Sequence, residues 1–179
     1  RWVRPERASQ KTLAEQFRAI DLVHLEPNSM QQQFIVNFNE LRANNARRGL
    51  LISATGTGKT YAAAFAMREM KPKRILFLVH REQIAKQAIA SFERIYNDSS
   101  IQFGLVSGNA KHYNATHVFS TMQMMGRDDV MKQYDPKEFD CIIIDEVHRA
   151  GSDGYQRIIE YFEPQFLLGM TASPERTDG

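Results

Sequence analysis

A glycine-containing stretch that follows a short apolar run carries the residue types that bind phosphate groups. Leu50-Leu51-Ile52 is apolar, and residues 53–60 read Ser-Ala-Thr-Gly-Thr-Gly-Lys-Thr. Glycines without side chains allow successive backbone N–H groups to face an oxyanion, and a following helix adds its positive N-terminal end. The lysine supplies a cation for the β- and γ-phosphates, and the last threonine supplies a hydroxyl ligand for Mg²⁺. The pattern therefore predicts a nucleoside triphosphate site formed by Thr55, Gly56, Thr57, Gly58, Lys59 and Thr60.

This stretch departs from the general phosphate-loop pattern G-x-x-x-x-G-K-[ST] at one fixed position. Ser53 occupies the place of the first glycine, whereas Gly58, Lys59 and Thr60 match. A glycine-rich turn with a chance Gly-Lys-Thr sequence is the alternative interpretation of the stretch taken alone. The apolar run before it and the helical propensity after it favour a phosphate-binding loop.

Two adjacent carboxylates follow a second apolar run farther along the chain. Asp145 and Glu146 come directly after Ile142-Ile143-Ile144. Charge at the end of a buried strand is unfavourable unless a partner compensates it, and Mg²⁺ is such a partner. We therefore expect this acidic pair to supply, together with Thr60, a carboxylate ligand for Mg²⁺ at the phosphate loop. A surface turn is the alternative for the acidic pair taken alone.

The composition is that of a globular protein and leaves the substrate open. The 179 residues are 42% hydrophobic and 25% charged, and the formal net charge is +2, which permits a nucleic-acid partner without arguing for one. The single cysteine, Cys141, lies in an apolar run, which excludes a cysteine-rich zinc module and predicts a core residue. No apolar run reaches the ~18 residues of a membrane span, so we expect a cytoplasmic protein. Because the chain starts at Arg1 and stops shortly after Thr171-Ala172-Ser173, we also expect it to be a fragment.

Apolar runs of strand length alternate with amphipathic segments along most of the chain. Strands are predicted at residues 50–52, 75–79, 101–106, 117–120, 141–145 and 166–171. Helices are predicted at residues 9–23, from Asn28 or Ser29 onward, and at 61–70, 81–96, 121–125 and 155–162. This alternation is typical of an α/β fold with a parallel sheet and right-handed crossovers. Ligands of such sheets bind beyond the carboxyl ends of the strands, where the phosphate loop, Asp145-Glu146 and Thr171-Ala172-Ser173 all lie.

Three further stretches join these motifs into a specific set. They are Val79-His80-Arg81-Glu82-Gln83-Ile84, Asp145-Glu146-Val147-His148-Arg149 and residues 168–176, which read L-G-M-T-A-S-P-E-R. With the Thr-Gly-x-Gly-Lys-Thr loop they resemble the first RecA-like domain of superfamily 2 helicases of the DEAD/DEAH-like group. The resemblance is strongest to the ATPase subunits of type I and type III restriction enzymes and related bacterial helicases. It implies a RecA-like P-loop NTPase domain over residues 25–179, with a mostly parallel sheet sandwiched between helices, and an N-terminal helical extension or linker over residues 1–24.

The resemblance assigns roles to residues around the nucleotide. Gln31, selected among three successive glutamines by the preceding Met30, would read adenine through its side-chain amide. An exposed polar helix start is the alternative for this residue. Asp145 would hold Mg²⁺ together with Thr60, and Glu146 would orient and polarise the attacking water as general base. His148 would link the hydrolysis site to the coupling motif, and a histidine held by a purely structural hydrogen bond is the alternative.

Other residues are implied to sense or contact nucleic acid. Thr171, Ala172 and Ser173 match the motif that couples the ATP state to the grip on nucleic acid. Backbone contacts, which set position and not sequence, are implied for His80, Arg81, Thr121 and Gln123.

The activity implied is that of an ATP hydrolase with ATP and Mg²⁺ as ligands. The chain would be the ATP-binding half of a nucleic-acid-dependent ATPase that drives DNA translocation or unwinding, in a restriction-type or repair-type helicase. The second RecA-like domain supplies an arginine worth on the order of 10³–10⁵ in rate in such NTPases, so we expect the fragment alone to be weakly active or inactive. DNA is preferred to RNA on the resemblance alone, and nuclease or methyltransferase domains or subunits are further partners that it allows.

One other class of function stays open. The same motifs fit a nucleotide-gated switch that binds nucleic acid, RNA included, without processive unwinding. A P-loop kinase or GTPase is disfavoured, because it leaves Asp-Glu-Val-His and Thr-Ala-Ser unexplained.

Overall fold

The computed structural model describes residues 25–53, 56–147 and 153–172. The strands are β1 Arg48–Ile52, β2 Ile75–Val79, β3 Phe103–Val106, β4 His117–Thr121, β5 Cys141–Ile144 and β6 Phe166–Thr171. The helices are α1 Ser29–Ala43, α2 Gly56–Met70, α3 Glu82–Tyr96, α4 Met122–Met125, α5 Asp128–Met131 and α6 Asp153–Tyr161. The helix predicted at residues 9–23 and the proposed N-terminal extension lie outside the described residues. Within the described ranges, no helix is long and apolar enough to cross a membrane.

The described strands are all parallel and form one sheet in the order β1-β6-β5-β2-β4-β3. This confirms the predicted α/β fold. Because parallel strands end at the same edge, the carboxyl ends of β1, β6 and β5 lie side by side. The register pairs Ile52 with Thr171 and Ile144 with Gly169. The phosphate loop, the Thr171 motif and the acidic pair therefore meet at one edge of the sheet.

Alternate side chains of the strands pack on opposite faces of the sheet. On one face, Phe77 and Phe119 are fully buried in the core that α1, α2 and α3 complete, and their rings stack with centroids 5.2 Å apart. On the other face, Leu76 and Ile142 are fully buried in the core that α4, α5 and α6 complete. Strand β2 is buried at every position, as its continuous apolar run predicts for the interior of a parallel sheet. Cys141 is fully buried, which confirms its interpretation as a core residue.

Strand β3 begins at Phe103 and not at the predicted Ile101. The reason is a turn just before it. The Asp98 carboxylate accepts hydrogen bonds from the Ser100 N–H at 2.9 Å and from the Ser100 hydroxyl at 2.6 Å, and the Ile101 N–H donates to the Asp98 carbonyl. Such local hydrogen bonds between a carboxylate and the nearby backbone compete with the hydrogen bonds of a strand.

In the part of the chain that the structure describes, strand β1 lies at an edge of the sheet and is covered on one face only. Leu51 is 8% exposed, whereas its neighbours Leu50 and Ile52 are 55% and 52% exposed. Helices normally cover both faces of a parallel sheet. Leu50 and Ile52 therefore form an uncovered apolar strip.

Arg74, just before β2, joins three segments that are distant in sequence. Its side chain is 22% exposed. It donates to the Glu138 carboxylate at 2.5 Å and to the carbonyls of Tyr113 and Ala115 at 3.1 and 2.7 Å. Its cation also lies over two rings, 5.5 and 5.2 Å from the centroids of Tyr134 and Phe139. No motif in the sequence marks this residue.

Gly104 in β3 faces the segment that leads to β4 and has no room for a side chain. A Cβ atom here would lie 2.4 Å from Ala115 Cβ and 2.7 Å from His112 Cβ. Gly104→Ala is therefore expected to lower the free energy of unfolding by about 1–3 kcal/mol, measured by chemical denaturation. Gly108→Ala is the matched control, because a Cβ at Gly108 meets no atom within 4 Å. The control should change stability by less than about 0.5 kcal/mol, and equal stability of the two variants would contradict the prediction.

His117, at the start of β4, is 1% exposed, and its ring packs against those of Tyr96 and Phe103. Burial lowers the pKa of His117 from 6.5 to about 4. The folded state thus holds the imidazole neutral, and the unfolded chain binds a proton more readily. The resulting stabilisation is complete above a pH of about 6.5 and is lost as the pH falls toward 4.

The free energy of unfolding should fall by about 2 kcal/mol through this group between about pH 7.5 and pH 5. Urea titrations of the wild type and of His117→Leu across this range measure the effect. The free energy of unfolding is plotted against pH for each protein. The difference between the slopes of these two plots gives the contribution of His117 apart from other titrating groups. Parallel pH profiles of the two proteins would show that His117 carries no such linkage.

Candidate functional site

Helix α2 begins inside the phosphate loop. It starts at Gly56 and not at the predicted Tyr61, so Gly58, Lys59 and Thr60 belong to its first turns. The first turn of a helix presents backbone N–H groups without intrahelical partners, which is where phosphate binds. Thr55 lies outside the described residues. The helix start therefore stands where the predicted phosphate site requires it.

The Lys59 ammonium lies beside the first carboxylate of the acidic pair. Lys59 is 5% exposed, and its Nζ is 3.6 Å from Asp145 Oδ1. The two residues follow β1 and β5, which β6 separates in the sheet. Burial of the ammonium requires a compensating charge, and Asp145 supplies it. The structure thus brings together the lysine and the aspartate that the sequence predicts for one site.

Strand β5 ends at Ile144, one residue short of the predicted end at Asp145. The Asp145 N–H still donates to the Leu78 carbonyl at 2.9 Å. This hydrogen bond to β2 holds the aspartate at the sheet edge although it no longer belongs to the strand.

Glu146 has a backbone φ of 51°, in the left-handed region. A residue with a side chain pays on the order of 1 kcal/mol for this conformation, and such residues cluster at functional sites. The Glu146 N–H donates to Asp145 Oδ1 at 2.9 Å. The next residue, Val147, packs on Gly169 of β6, where a Cβ would lie 3.3 Å from the valine side chain. The hydrogen bond and the Val147 contact hold the turn that carries both carboxylates.

Thr171 ends β6, the strand between the phosphate loop and the acidic pair. Its carbonyl accepts a hydrogen bond from the Ser53 N–H at 3.1 Å, and its hydroxyl donates to the Ala172 carbonyl at 3.2 Å. The coupling motif is therefore joined directly to the strand that leads into the phosphate loop. Ser173 and His148 lie outside the described residues, and their predicted roles stay predictions.

A cavity of about 240 Å³ lies beside the acidic pair and is lined by His80, Arg81, Ile84, Asp145 and Glu146, with Val79. His80 Nε2 is buried and has no hydrogen-bond partner in the part of the chain that the structure describes. Two residues predicted to contact nucleic acid thus border the predicted general base.

The other two predicted contacts follow β4, the neighbour of β2 in the sheet. Thr121 caps α4, because its Oγ1 accepts a hydrogen bond from the Met124 N–H at 3.3 Å. Gln123, in α4, is exposed. The four predicted contacts therefore lie at the ends of adjacent strands, at the same edge of the sheet. The Thr121 hydroxyl in addition caps α4.

Comparison with known proteins assigns the chain to a family. Residues 24–176 match the family described as type III restriction enzyme, res subunit. The chain belongs to this family.

Individual relatives of this res-subunit family member are much longer proteins. The chain is 32% identical over 166 residues to the type I restriction enzyme EcoAI endonuclease subunit of Escherichia coli, a match that covers 84% of the chain and 20% of that protein. It is 29% identical over 136 residues to a putative ATP-dependent RNA helicase of Acanthamoeba polyphaga mimivirus, with 73% of the chain and 24% of that protein covered. The chain thus spans about a quarter or less of these relatives.

A solved structure shares the fold. The type ISP restriction-modification enzyme LlaGI, crystallised as a nuclease-deletion mutant with a DNA substrate mimic, matches with a TM-score of 0.62 and 20% identity. The match covers 82% of the chain and 15% of LlaGI.

In this res-subunit family member, Gln31 lies in the first turn of α1 and is 7% exposed. The alternative of an exposed polar residue is therefore wrong. Its Oε1 accepts a hydrogen bond from the Asn28 N–H at 2.9 Å, and Asn28 Oδ1 accepts one from the Gln31 N–H at 2.9 Å. This reciprocal pair is a capping box, which explains why the helix begins here. Adenine recognition by the Gln31 amide stays a prediction.

The donors predicted for Mg²⁺ are the Thr60 hydroxyl and the Asp145 carboxylate. Both are hard oxygen ligands of the kind Mg²⁺ prefers, and Mg²⁺ usually takes only one or two protein ligands and completes its shell with water and substrate phosphates. The residues fit a metal that binds with the nucleotide.

Sequence reasoning missed residues that lie outside the motifs. Val147 and Gly169 act as a packing pair, and only the glycine within a strand could have signalled a close approach. Gln156 and Arg157 of α6 line a second groove together with His80. Nothing in their local sequence distinguishes them from an ordinary exposed helix face.

Proposed function

We propose that this chain is the ATP-binding half of a nucleic-acid-dependent ATPase that couples ATP hydrolysis to translocation along DNA or to its unwinding. The observation that carries the proposal is the 3.6 Å approach of Lys59 Nζ to Asp145 Oδ1. Two charged groups from different strand ends meet there, with the Thr171 motif on the strand between them. A merely structural ion pair would not require the helix start at Gly56 or the strained backbone of Glu146.

Each residue has a task in hydrolysis. The backbone N–H groups at the start of α2 and the Lys59 ammonium bind the β- and γ-phosphates. Thr60 and Asp145 would hold Mg²⁺, which when bound neutralises the phosphate oxygens. Glu146 accepts a proton from the attacking water, whose oxygen bonds to the γ-phosphorus as the bond to the bridging oxygen breaks.

The nucleic acid would lie across the ends of β2 and β4, where His80, Arg81, Thr121 and Gln123 lie. His80 and Arg81 line the same cavity as Glu146. A strand bound to these two residues would therefore act directly on the hydrolysis site. The family membership and the DNA substrate mimic bound by LlaGI support DNA as the partner. The domain organisation we propose is a RecA-like domain over residues 25–179 that closes on a second RecA-like domain, with the isolated chain weakly active.

The test is steady-state ATPase activity of the full-length protein that contains this chain. It is measured without nucleic acid and with single-stranded DNA, duplex DNA or single-stranded RNA. We expect DNA to stimulate hydrolysis by at least about tenfold, which is less than the 10²–10⁴-fold that a fully positioned catalytic group contributes. Hydrolysis that responds to none of the nucleic acids would overturn the proposal. Stimulation without displacement of a paired strand or movement along DNA would point instead to a nucleotide-gated switch.

A further inference from the structure

A second groove, with a volume of about 740 Å³, lies between α4 and α6 beyond His80. We call it the α4–α6 groove. Its polar lining residues are His80, Gln123, Arg127, Gln156 and Arg157. None of the described residues that line it carries a carboxylate, so its electrostatic potential favours an anion.

The two arginines differ in how far their charge is already neutralised. Arg127 Nη2 lies 3.0 Å from Asp129 Oδ2 in an exposed ion pair. The Asp129 carboxylate thus already neutralises the Arg127 guanidinium. Arg157 Nη1 donates to the Gly126 carbonyl at 3.2 Å, and no described carboxylate pairs with it. A hydrogen bond to a carbonyl fixes the guanidinium without cancelling its charge. The remaining N–H groups of Arg157 are therefore available for an anion.

Two glycines meet at the floor of the groove. A Cβ at Gly126 would lie 3.1 Å from Gly154 Cα, so the end of α4 and the start of α6 touch through their backbones. This contact sets Gln123 of α4 and Gln156 of α6 along the same groove.

The groove is separate from the phosphate loop. Strands β1 and β4 are four positions apart in the sheet, which corresponds to about 19 Å at the usual strand spacing. One nucleotide cannot occupy the phosphate loop and the groove together. His80 nevertheless lines both the groove and the cavity that contains Asp145 and Glu146. Among the described lining residues, His80 is the one that the groove shares with the hydrolysis-site cavity, so it can connect a ligand in the groove to that site.

We infer that the α4–α6 groove binds a backbone phosphate of a single nucleic-acid strand, with Arg157 as its cationic contact and Gln123 and Gln156 as amide donors. The inference rests on the proposed function. It extends the nucleic-acid path beyond the residues that the motifs imply, onto the helix that follows the acidic pair. Phosphate contacts of this type position a strand and carry no base preference.

The test measures how Arg157 contributes to binding and to its salt dependence. The full-length protein is titrated against a fluorescein-labelled 20-nucleotide single strand of DNA, and separately of RNA, at several salt concentrations. Arg157→Gln is expected to weaken binding about 5- to 10-fold and to reduce the slope of log K against log salt by about 0.7, the value for one phosphate contact on a single strand. Arg157→Lys keeps the charge and should keep the slope, although it weakens binding because its ammonium is not held by Gly126.

Arg94→Gln is the matched control, because Arg94 is an exposed arginine in α3, a helix that packs on the opposite face of the sheet. The slope of log K against log salt separates a phosphate contact from a structural role. If Arg157 contacts a phosphate, the slope returns to the wild-type value in Arg157→Lys. If Arg157 only holds α4 and α6 together, both variants bind weakly and the lysine variant does not restore the slope. If Arg157→Gln binds like Arg94→Gln, the groove is not a phosphate site and the proposed function stands. If the wild type binds neither strand, the proposed function and the inference both fail.

Discussion

Glu146→Gln is expected to lower the rate of ATP hydrolysis by about 10²–10⁴-fold, the usual contribution of a general base. Glutamine has the size of glutamate, and its side chain can occupy the same place beside Asp145 in the cavity that His80 and Arg81 line. It cannot accept a proton from water at neutral pH. The loss should therefore fall on turnover, measured in single-turnover reactions at saturating ATP, and not on nucleotide affinity.

The matched control for this prediction is Glu93→Gln, which removes the charge of an exposed glutamate in α3. This variant should hydrolyse ATP within about twofold of the wild type, because surface substitutions far from a site have small effects. A Glu146→Gln protein that retains more than a fifth of the wild-type rate would exclude Glu146 as the base. Another carboxylate or the substrate itself would then have to accept the proton.

Arg74→Met should lower the free energy of unfolding by about 3 kcal/mol, because hydrogen bonds to charged groups are worth about 1.5–3 kcal/mol and their loss leaves partners unpaired. The partners left behind are the Glu138 carboxylate and the carbonyls of Tyr113 and Ala115. Methionine keeps much of the apolar contact with the Tyr134 and Phe139 rings, so the loss reports mainly the polar network. In a domain of this size the melting temperature should fall by about 6–12 °C.

Arg74→Lys should recover only part of this loss, since an ammonium cannot reach two carbonyls and a carboxylate with the planar geometry of a guanidinium. Arg94→Met controls for the removal of a positive charge and should leave the melting temperature within about 2 °C of the wild type. Chemical denaturation of the three variants provides the comparison. If Arg74→Met is as stable as Arg94→Met, the hydrogen-bond network of Arg74 makes no net contribution to the free energy of unfolding.

The strands were predictable because a parallel sheet is buried on both faces. The runs at Ile75–Val79 and Phe166–Thr171 have no polar side chain inside them, and they form strands with the predicted bounds. The meeting of the phosphate loop with Asp145 was also predictable, since parallel strands end at one edge. The order of the strands was not, because it depends on where each crossover helix packs and not on any local pattern.

One local error and one alternative that the structure excludes have physical causes. Helix α2 begins at Gly56, earlier than predicted, because glycines disfavour a helix interior but are tolerated in its first turn, where they let phosphate approach. Gln31 was open to interpretation as an exposed residue, because the capping box that buries it requires the Asn28 side chain to turn back onto the helix. Sequence spacing can suggest that geometry but cannot distinguish it from a solvated helix start.

Arg74 and Arg157 could not have been found from the sequence. The partners of Arg74 lie between residues 113 and 139, and the carbonyl partner of Arg157 belongs to Gly126. Contacts of this kind exist only once the sheet has brought distant segments together. Neither arginine has a neighbour in sequence that would have set it apart.

The uncovered strip of Leu50 and Ile52 bears on how these 179 residues behave when they are produced alone. An edge strand with apolar side chains readily accepts a strand from another molecule. Concentrated solutions of the isolated chain would then lose material to association through β1, close to the phosphate loop. A blocked sheet edge would then lower the ATPase rate of such a preparation, in addition to any effect of lacking the second RecA-like domain that we propose. Light scattering of the sample used for each rate measurement separates the two effects.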